Sequence, residues 1–258
     1  VKHLKSALME DRFRLAQLPI AGLRSDSIQM YDLLVRMIDE QGNSVLPSEF
    51  LPAAERNNMM KNIDRWMLTA AMRFCNSNDA DRVFVRLSRQ SITDSSTAAW
   101  LQHKLDEEGF DCSRLVIQIP ERDAAKHIKQ TQKLVRNARK LGIGFAIEHY
   151  GVDRERFQIL DLLKPNYIKI DGELMHTLMT DKAMQDAVGS IVAAAKKRGI
   201  KTVAERVENA NAMAVLFQLG LDYMQGHYVH EPAVVLEDSP THPPTSLEGL
   251  ASAKSASG

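Results

Sequence analysis

Short apolar runs that each end in a polar side chain recur along this chain of 258 residues. The run from Lys201 to Ala204 is followed by Glu205, and Met224 is followed by Gln225. The other runs end in the same way, at Asp32, Arg86, Gln118, Glu148 with His149, and Lys169. A ring of polar strand ends is where an α/β barrel builds its active site. The pattern therefore predicts a barrel whose functional groups meet at one rim.

Strand-like and helical segments alternate along most of the chain. Strands are predicted over residues 13–20, 28–37, 83–87, 115–119, 144–147, 167–170 and 201–204 and near Tyr223. Helices are predicted over residues 59–74, 98–108, 124–141, 154–163, 183–198 and 209–219. Repeated βα alternation indicates a parallel sheet with helical crossovers. About eight strands in about 250 residues favour an α/β protein of the TIM-like (β/α)8 barrel type.

An open doubly wound sheet is the structural alternative, because alternation alone does not prove that the sheet closes. Such sheets mark a dinucleotide site with a glycine-rich G-x-G-x-x-G turn, which this sequence lacks. The barrel is therefore the favoured fold.

Composition limits the possible partners. Hydrophobic residues make up 44% of the chain, which is enough for a sizeable core. The 33 basic and 33 acidic residues cancel, so no overall field attracts a nucleic acid polymer or an anionic membrane. No apolar run approaches the roughly 20 residues that span a bilayer, so no membrane insertion is expected. The 2 cysteines are too few for a disulfide framework, and a reduced cytoplasmic location is expected.

The patterned sequence ends before the chain does. Residues 236–258 are mostly Ser, Pro, Thr, Ala and Gly and cannot bury enough apolar surface to offset the entropy of ordering. We therefore expect one domain over residues 1–235 and a flexible tail over 236–258. Because patterned sequence begins directly at the first residues, the chain is expected to be part of a longer protein.

Six short segments carry a family pattern, in order and at matching spacing. They are Asp32-Leu33-Leu34-Val35-Arg36, Pro47-Ser48-Glu49-Phe50-Leu51-Pro52, Asp64-Arg65-Trp66, Lys169-Ile170-Asp171, Glu205-Arg206-Val207-Glu208 and Gln225-Gly226. Together they resemble the EAL domain family, the phosphodiesterases of cyclic di-GMP. The resemblance runs from about Leu4 to Pro232. It implies a barrel of EAL type and a cyclic dinucleotide ligand.

Several positions depart from that family's pattern. Active members hold two divalent ions with Glu, Asn, Glu and a pair of Asp residues. The chain has Asp32, Arg86, Gln118, Glu148 and His149 at those places, and the formal charge of the set falls from about −4 to about −1. Magnesium demands oxygen ligands, whereas Arg86 withdraws one and adds a repelling charge. The departures predict that no metal is bound, that no residue is catalytic and that the chain is not an enzyme.

The residues that match the family suit a phosphate-bearing ligand. Arg36 can form a bidentate pair with a phosphate. The resemblance implies that Asp64 accepts from a guanine, beside an apolar wall formed by Phe50, Leu51 and Pro52. The full set predicted to bind cyclic di-GMP is Asp32, Leu34, Arg36, Phe50, Leu51, Pro52, Asp64, Arg86, Gln225 and Glu231.

Structural roles compete with these assignments. Asp32 and Arg36 lie four apart on an alternating strand, so they face the same side and could pair with each other. Lys169, Glu205 and Glu208 could form a buried ion network at the barrel mouth. Arg86 could replace a missing cation or fold onto Glu148. His149 is expected to be a hydrogen-bonding substitute and not a metal ligand, because no second histidine or cysteine lies at chelating spacing.

The function predicted from the sequence is a metal-independent receptor for cyclic di-GMP. The pattern is similar to that of EAL domains in type IV pilus and twitching motility signalling, which implies recruitment of a PilZ-domain partner. One alternative is a slow phosphodiesterase that uses a single ion between Asp32, Glu148 and Glu205. The other is a protein-only scaffold, which would not need the phosphate and base groups at Arg36 and Asp64.

Overall fold

The computed structural model describes residues 2–24, 28–152, 156–226, 229 and 232–234. The strands are β1 (Phe13–Gly22), β2 (Met30–Ile38), β3 (Ser44–Val45), β4 (Arg82–Arg86), β5 (Leu115–Pro120), β6 (Gly144–Tyr150), β7 (Tyr167–Ile170), β8 (Lys201–Ala204), β9 (Tyr223–Met224) and β10 (Ala233–Val234). The helices are α1 (Lys2–Met9), α2 (Pro47–Arg56), α3 (Met60–Ser77), α4 (Arg89–Thr93), α5 (Thr97–Glu108), α6 (Glu121–Lys126), α7 (Ile128–Lys140), α8 (Arg156–Leu163), α9 (Glu173–His176), α10 (Lys182–Lys197) and α11 (Ala210–Leu219).

Eight of these strands close into a barrel, which confirms the predicted fold. The order runs β2, β4, β5, β6, β7, β8 and β9 in parallel, and β1 joins β9 to β2. β1 is antiparallel to both neighbours, so the expectation of a fully parallel sheet is wrong for this strand. The physical reason is the short connection between Gly22 and Met30, because a parallel crossover needs about a dozen residues or more.

The helices depart from the prediction at several points, and two of these departures have local causes. α1 precedes the first strand and was not predicted. α2 begins with Pro47 in its first turn, and the Glu49 carboxylate accepts from the Leu46 N–H at 3.3 Å, both of which are helix-start signals. The helix predicted over 124–141 is interrupted at His127, whose ψ of 40° is not helical, so α6 and α7 are separate.

The interior of the barrel consists of two layers. The lower layer is apolar and contains Ile20, Met30, Phe84, Val116, Ala146, Val203 and Tyr223, with Tyr167 packed against it. Two residues further along each parallel strand lie Asp32, Arg86, Gln118, Glu148, Lys169, Glu205 and Gln225. Because side chains two apart on a strand share a face, the polar strand ends form a second layer directly above the apolar one. This explains the ring of polar residues in the sequence.

The expectations about membrane insertion, disulfides, location and the domain boundary are tested by the structure only in part. No helix of the described residues is long and apolar enough to cross a membrane. Cys75 is buried in α3, Cys112 is partly exposed, and neither is in a disulfide. The cytoplasmic location stays a prediction. The domain boundary at 235 and the tail over 236–258 lie outside the described residues.

Candidate functional site

Lys169 is the centre of the polar layer. Its side chain is 0% exposed, and its Nζ lies 2.5 Å from Asp32 Oδ2 and 3.6 Å from Glu205 Oε1. It also donates to Gln118 Oε1 at 3.1 Å. Burial lowers the pKa of Lys169, but the carboxylates of Asp32, Glu205 and Glu148 outweigh that effect and raise it. The amine is therefore held as a buried cation.

Asp32 is fully engaged inside the barrel. Its side chain accepts from Gln118 Nε2 at 2.7 Å and from Gln225 Nε2 at 3.4 Å, in addition to Lys169. Asp32 is 4% exposed. Among the described residues, its ion-pair partner is Lys169 and not Arg36. The ion network considered from the sequence is therefore present for Lys169 and Glu205, with Asp32 as its main anion.

Arg86 extends across the mouth to β6. Its guanidinium forms an ion pair with Glu148, in which Nη2 donates to Oε2 at 2.9 Å. The same Nη2 lies 2.9 Å from His149 Nε2. This is the folded arrangement that the sequence left open. The Glu148 carboxylate raises the pKa of Arg86 against the opposing effect of burial, so the guanidinium is charged. Glu148 is 1% exposed and is neutralised by this pair.

A bulge in β6 aims His149 into the mouth. The register with β7 shifts between Ile147 and Tyr150, and His149 has a φ of 51° in the left-handed region. His149 Nδ1 lies 3.1 Å from Glu205 Oε2 and 3.2 Å from Asp171 Oδ2. The bond with Glu205 raises the pKa of His149, while burial lowers it. Since Arg86 can only donate, its contact requires that Nε2 accepts and that Nδ1 carries the proton.

Three possible metal ligands converge at this point. One ligand atom from each of His149, Asp171 and Glu205 lies within 4.8 Å of the other two. They come from three neighbouring strand ends, and Asp171 was not predicted as a ligand. An imidazole with two carboxylates suits a divalent transition metal. The donor set therefore fits one ion. It does not fit a second ion at Asp32 and Glu148, because Lys169 and Arg86 already neutralise those carboxylates.

Arg36 stands higher in the mouth than Asp32. Asp32, Leu34 and Arg36 alternate along β2 and share its inner face. Arg36 is half-buried, and its guanidinium donates to the Val35 carbonyl at 3.0 Å. Burial lowers the pKa of Arg36. Among the described residues, no carboxylate forms an ion pair with Arg36.

The apolar wall predicted on α2 is only partly accessible. Phe50 is 4% exposed, and its ring centroid lies 5.8 Å from that of Phe13. Leu51 is half-buried and Pro52 is exposed. In this conformation of the protein, a ligand can therefore contact Leu51 and Pro52, while Phe50 packs beneath them.

The segment after β9 places one predicted ligand residue and leaves another undescribed. Gln225 lies in the polar layer. A Cβ on Gly226, whose φ is 146°, would lie 2.4 Å from the Val207 nitrogen, so only glycine fits. Arg206, at the family's glycine position, also has a left-handed φ of 53°. Glu231 lies outside the described residues.

Asp64 ties α3 to the loop after β4. Its Oδ2 accepts from the Ser88 N–H at 2.9 Å and from the hydroxyls of Ser88 and Ser91 at 2.6 Å each. Asp64 is 4% exposed. Burial raises its pKa to about 6 from 3.8, and the three hydrogen bonds oppose that rise. In this conformation the carboxylate is a structural anchor, and its contact with a guanine stays a prediction.

Asp64→Asn is expected to remove a pH dependence of stability. The pKa of Asp64 in the folded protein lies above its unfolded value of 3.8. The stability that protonated Asp64 contributes is therefore fully present below pH 3.8 and is lost as the pH rises through about 6. Between about pH 5 and pH 7.5, the wild type should lose about 1.4 kcal/mol relative to the variant. Urea unfolding of both proteins at both pH values measures this difference. If the difference in unfolding free energy between the wild type and Asp64→Asn did not change with pH, the raised pKa of Asp64 would be contradicted.

A cavity at the opposite end of the barrel is separate from this site. It has a volume of 570 Å³ and is lined by residues 75–81 and Arg114. Arg114 donates to the carbonyls of Ala80, Cys75 and Asn78, so its guanidinium caps the chain after α3. The polar layer lies at the carboxyl ends of the parallel strands, where barrels place their chemistry.

Comparison with known proteins identifies the family. Residues 1–232 match the EAL domain family. The chain belongs to the EAL domain family. The EAL domain of FimX from Pseudomonas aeruginosa bound to c-di-GMP is 31% identical, with a TM-score of 0.86 over 90% of this chain and 95% of that chain. The Xanthomonas citri FimX EAL domain in complex with c-diGMP has the same fold, with a TM-score of 0.86 at 24% identity over 95% of each chain.

Curated relatives of this EAL domain include enzymes. The cyclic di-GMP phosphodiesterase PdeF of Escherichia coli (strain K12) is 27% identical over 241 residues, which are 92% of this chain and 32% of PdeF. The chain thus spans about a third of that relative's length. The prediction that the chain is not an enzyme is therefore wrong.

The prediction that no metal is involved is wrong as well. EAL phosphodiesterases, the class of enzyme to which this family match points, are metal-dependent. The EAL domain described here also gathers His149, Asp171 and Glu205 at a distance that suits one ion. Sequence spacing could not reveal this cluster, because the three residues are far apart along the chain and meet only through the bulge in β6.

Proposed function

We propose that this EAL domain binds cyclic di-GMP at the carboxyl-terminal rim of its barrel. The observation that carries the proposal is Arg36, a half-buried guanidinium without a carboxylate partner among the described residues. A partly buried charge without a counterion is unfavourable, and a phosphate of the nucleotide supplies that counterion with a bidentate geometry. The likeness to the FimX EAL domain bound to c-di-GMP, at 31% identity, supports the same ligand.

The other residues predicted to bind the nucleotide differ in how accessible they are, and we propose different roles for them accordingly. Leu34, Leu51 and Pro52 offer accessible apolar surface beside Arg36 for the guanine faces. Buried residues act from below by fixing that surface. This second group is Asp32, Phe50, Asp64 and Gln225. Arg86 has a side chain that is 51% exposed at the mouth, so we propose that it contacts the nucleotide directly. Glu231 stays a proposed contact from sequence resemblance alone.

Recruitment of a PilZ-domain protein in type IV pilus and twitching motility signalling is the proposed output. The support is the sequence resemblance and the likeness to FimX EAL domains. A ligand can change what a surface binds only through its different affinity for two states. We expect co-elution with a PilZ-domain protein from the same cell on size exclusion, increased by cyclic di-GMP. Separate elution with and without the nucleotide, using protein that binds it, would contradict this output.

Cyclic di-GMP phosphodiesterase activity is a second candidate function, favoured by the His149, Asp171 and Glu205 cluster and by relatives such as PdeF. A divalent ion held there would activate water and polarise a phosphate oxygen. Within the protein, Lys169 is a fixed positive charge 3.6 Å from Glu205, and Arg86 can exchange Glu148 for a substrate phosphate. Arg86 would orient the substrate towards the cluster, and the buried Lys169 would hold Glu205 in position.

Manganese binding tests this cluster without measuring turnover. Because His149 is its only nitrogen donor, His149→Ala should weaken Mn²⁺ binding by at least about tenfold in equilibrium dialysis. His103→Ala, at an exposed position of α5, is the matched control and should leave the affinity unchanged. Equal affinity in the wild type and His149→Ala would remove the cluster as the metal site.

A further inference from the structure

Two arginines face each other directly at the barrel rim. In the antiparallel register of β1 and β2, Arg14 pairs with Arg36, two residues beyond the pair of Ala16 and Leu34. Directly opposed residues point to the same face, with Cβ atoms about 4.5–5.5 Å apart. Like charges in this position repel each other and destabilise the strand pair. The arrangement therefore calls for a negative group between them.

The described residues do not supply that group. Arg14 is exposed, and its Nη1 donates to the carbonyls of Asp11 and Phe13 at 2.7 Å each. Arg36 donates to the carbonyl of Val35. Neither guanidinium has an ion pair with a carboxylate in the part of the chain that the structure describes. Main-chain carbonyls hold the two side chains in place but do not neutralise them.

We infer that Arg14 and Arg36 together hold one phosphodiester group of the bound nucleotide. This inference rests on the proposed binding of cyclic di-GMP and adds Arg14 as a second phosphate-binding residue. A phosphodiester has two non-bridging oxygens, and each guanidinium is a planar fork of donors, so each arginine can engage one oxygen. The phosphate then replaces the repulsion between the two arginines with two attractions.

Calorimetric titration with cyclic di-GMP tests the inference on four variants beside the wild type. They are Arg14→Ala, Arg36→Ala, the double variant and Arg82→Ala. Arg82 is the matched control, because it donates to the Asp81 carbonyl at 2.7 Å but lies at the other end of the barrel. We expect Arg14→Ala to bind about tenfold more weakly, which is about 1.4 kcal/mol. Arg82→Ala should bind like the wild type.

Two further readouts separate phosphate contact from a structural role. The fold-loss of affinity in the double variant should be smaller, by about threefold or more, than the product of the fold-losses of the two single variants. The reason is that both arginines bind the same phosphate. Without nucleotide, the unfolding temperature of Arg14→Ala should equal or exceed that of the wild type, because a repulsion is removed.

Three outcomes would overturn the inference while leaving nucleotide binding intact. The first is an affinity of Arg14→Ala within about twofold of that of the wild type. The second is a loss of affinity in the double variant that equals the product of the single losses. The third is weaker binding by Arg14→Ala together with a lower unfolding temperature of this variant without nucleotide. Absence of binding in the wild type would instead overturn the proposed function itself.

Discussion

Lys169→Met is expected to lower the free energy of unfolding by about 3–5 kcal/mol. Lys169 is 0% exposed and lies 2.5 Å from Asp32. Methionine keeps most of the side-chain length but removes the cation. Among the described residues, this leaves the buried carboxylate with two amide donors, from Gln118 and Gln225. An uncompensated buried charge is among the largest single causes of destabilisation. Urea unfolding monitored by circular dichroism measures the change.

A second substitution and a matched control make this prediction specific. Asp32→Asn added to Lys169→Met removes the unpaired charge and should recover at least half of the lost stability. Lys201→Met, on the neighbouring strand, breaks an exposed pair with Asp222 and should cost less than about 1 kcal/mol. If Lys169→Met were as stable as Lys201→Met, the buried ion pair would not hold the barrel mouth.

Arg36→Ala is expected to weaken cyclic di-GMP binding by about 1.5–3 kcal/mol, which is roughly 10- to 150-fold. Arg36 is the half-buried cation on the inner face of β2, and the phosphate is the counterion that the described residues do not provide. Arg36→Lys keeps the charge but loses the planar fork, so it should recover only part of the affinity. Fluorescence anisotropy with a labelled nucleotide measures all three proteins.

A control on α3 shows whether this effect is local. Arg73 is 67% exposed and pairs with Glu108, away from the strand ends. Arg73→Ala should bind the nucleotide like the wild type. Similar losses in Arg73→Ala and Arg36→Ala would mean that general charge, and not the rim, governs binding.

The polar rim could be predicted from the sequence because it follows from strand geometry. Side chains two apart on a strand share a face, so Phe84 and Arg86, or Val116 and Gln118, must enter the barrel in successive layers. Once the alternation of strands and helices indicates a barrel, the polar residue after each apolar run marks its carboxyl end. The pattern therefore predicted that these polar side chains lie at the carboxyl ends of the parallel strands, which is where the structure has them.

The contacts within the rim could not be predicted, because they depend on register and on a local irregularity. The meeting of Arg14 with Arg36 depends on how β1 pairs with β2, and a shift of one residue would separate them. The meeting of His149 with Asp171 and Glu205 depends on the bulge in β6. The pattern of residue types predicted no metal, whereas the folded chain brings three possible metal ligands together.

Calorimetric titration of the folded domain with cyclic di-GMP shows whether the barrel rim binds the nucleotide. We expect saturable binding of one nucleotide per domain, strongly weakened in Arg36→Ala, whose fold is checked by its circular dichroism spectrum. Absence of saturable heat in the folded wild type, or equal affinity in the wild type and Arg36→Ala, would contradict the claim that this barrel rim is a nucleotide site.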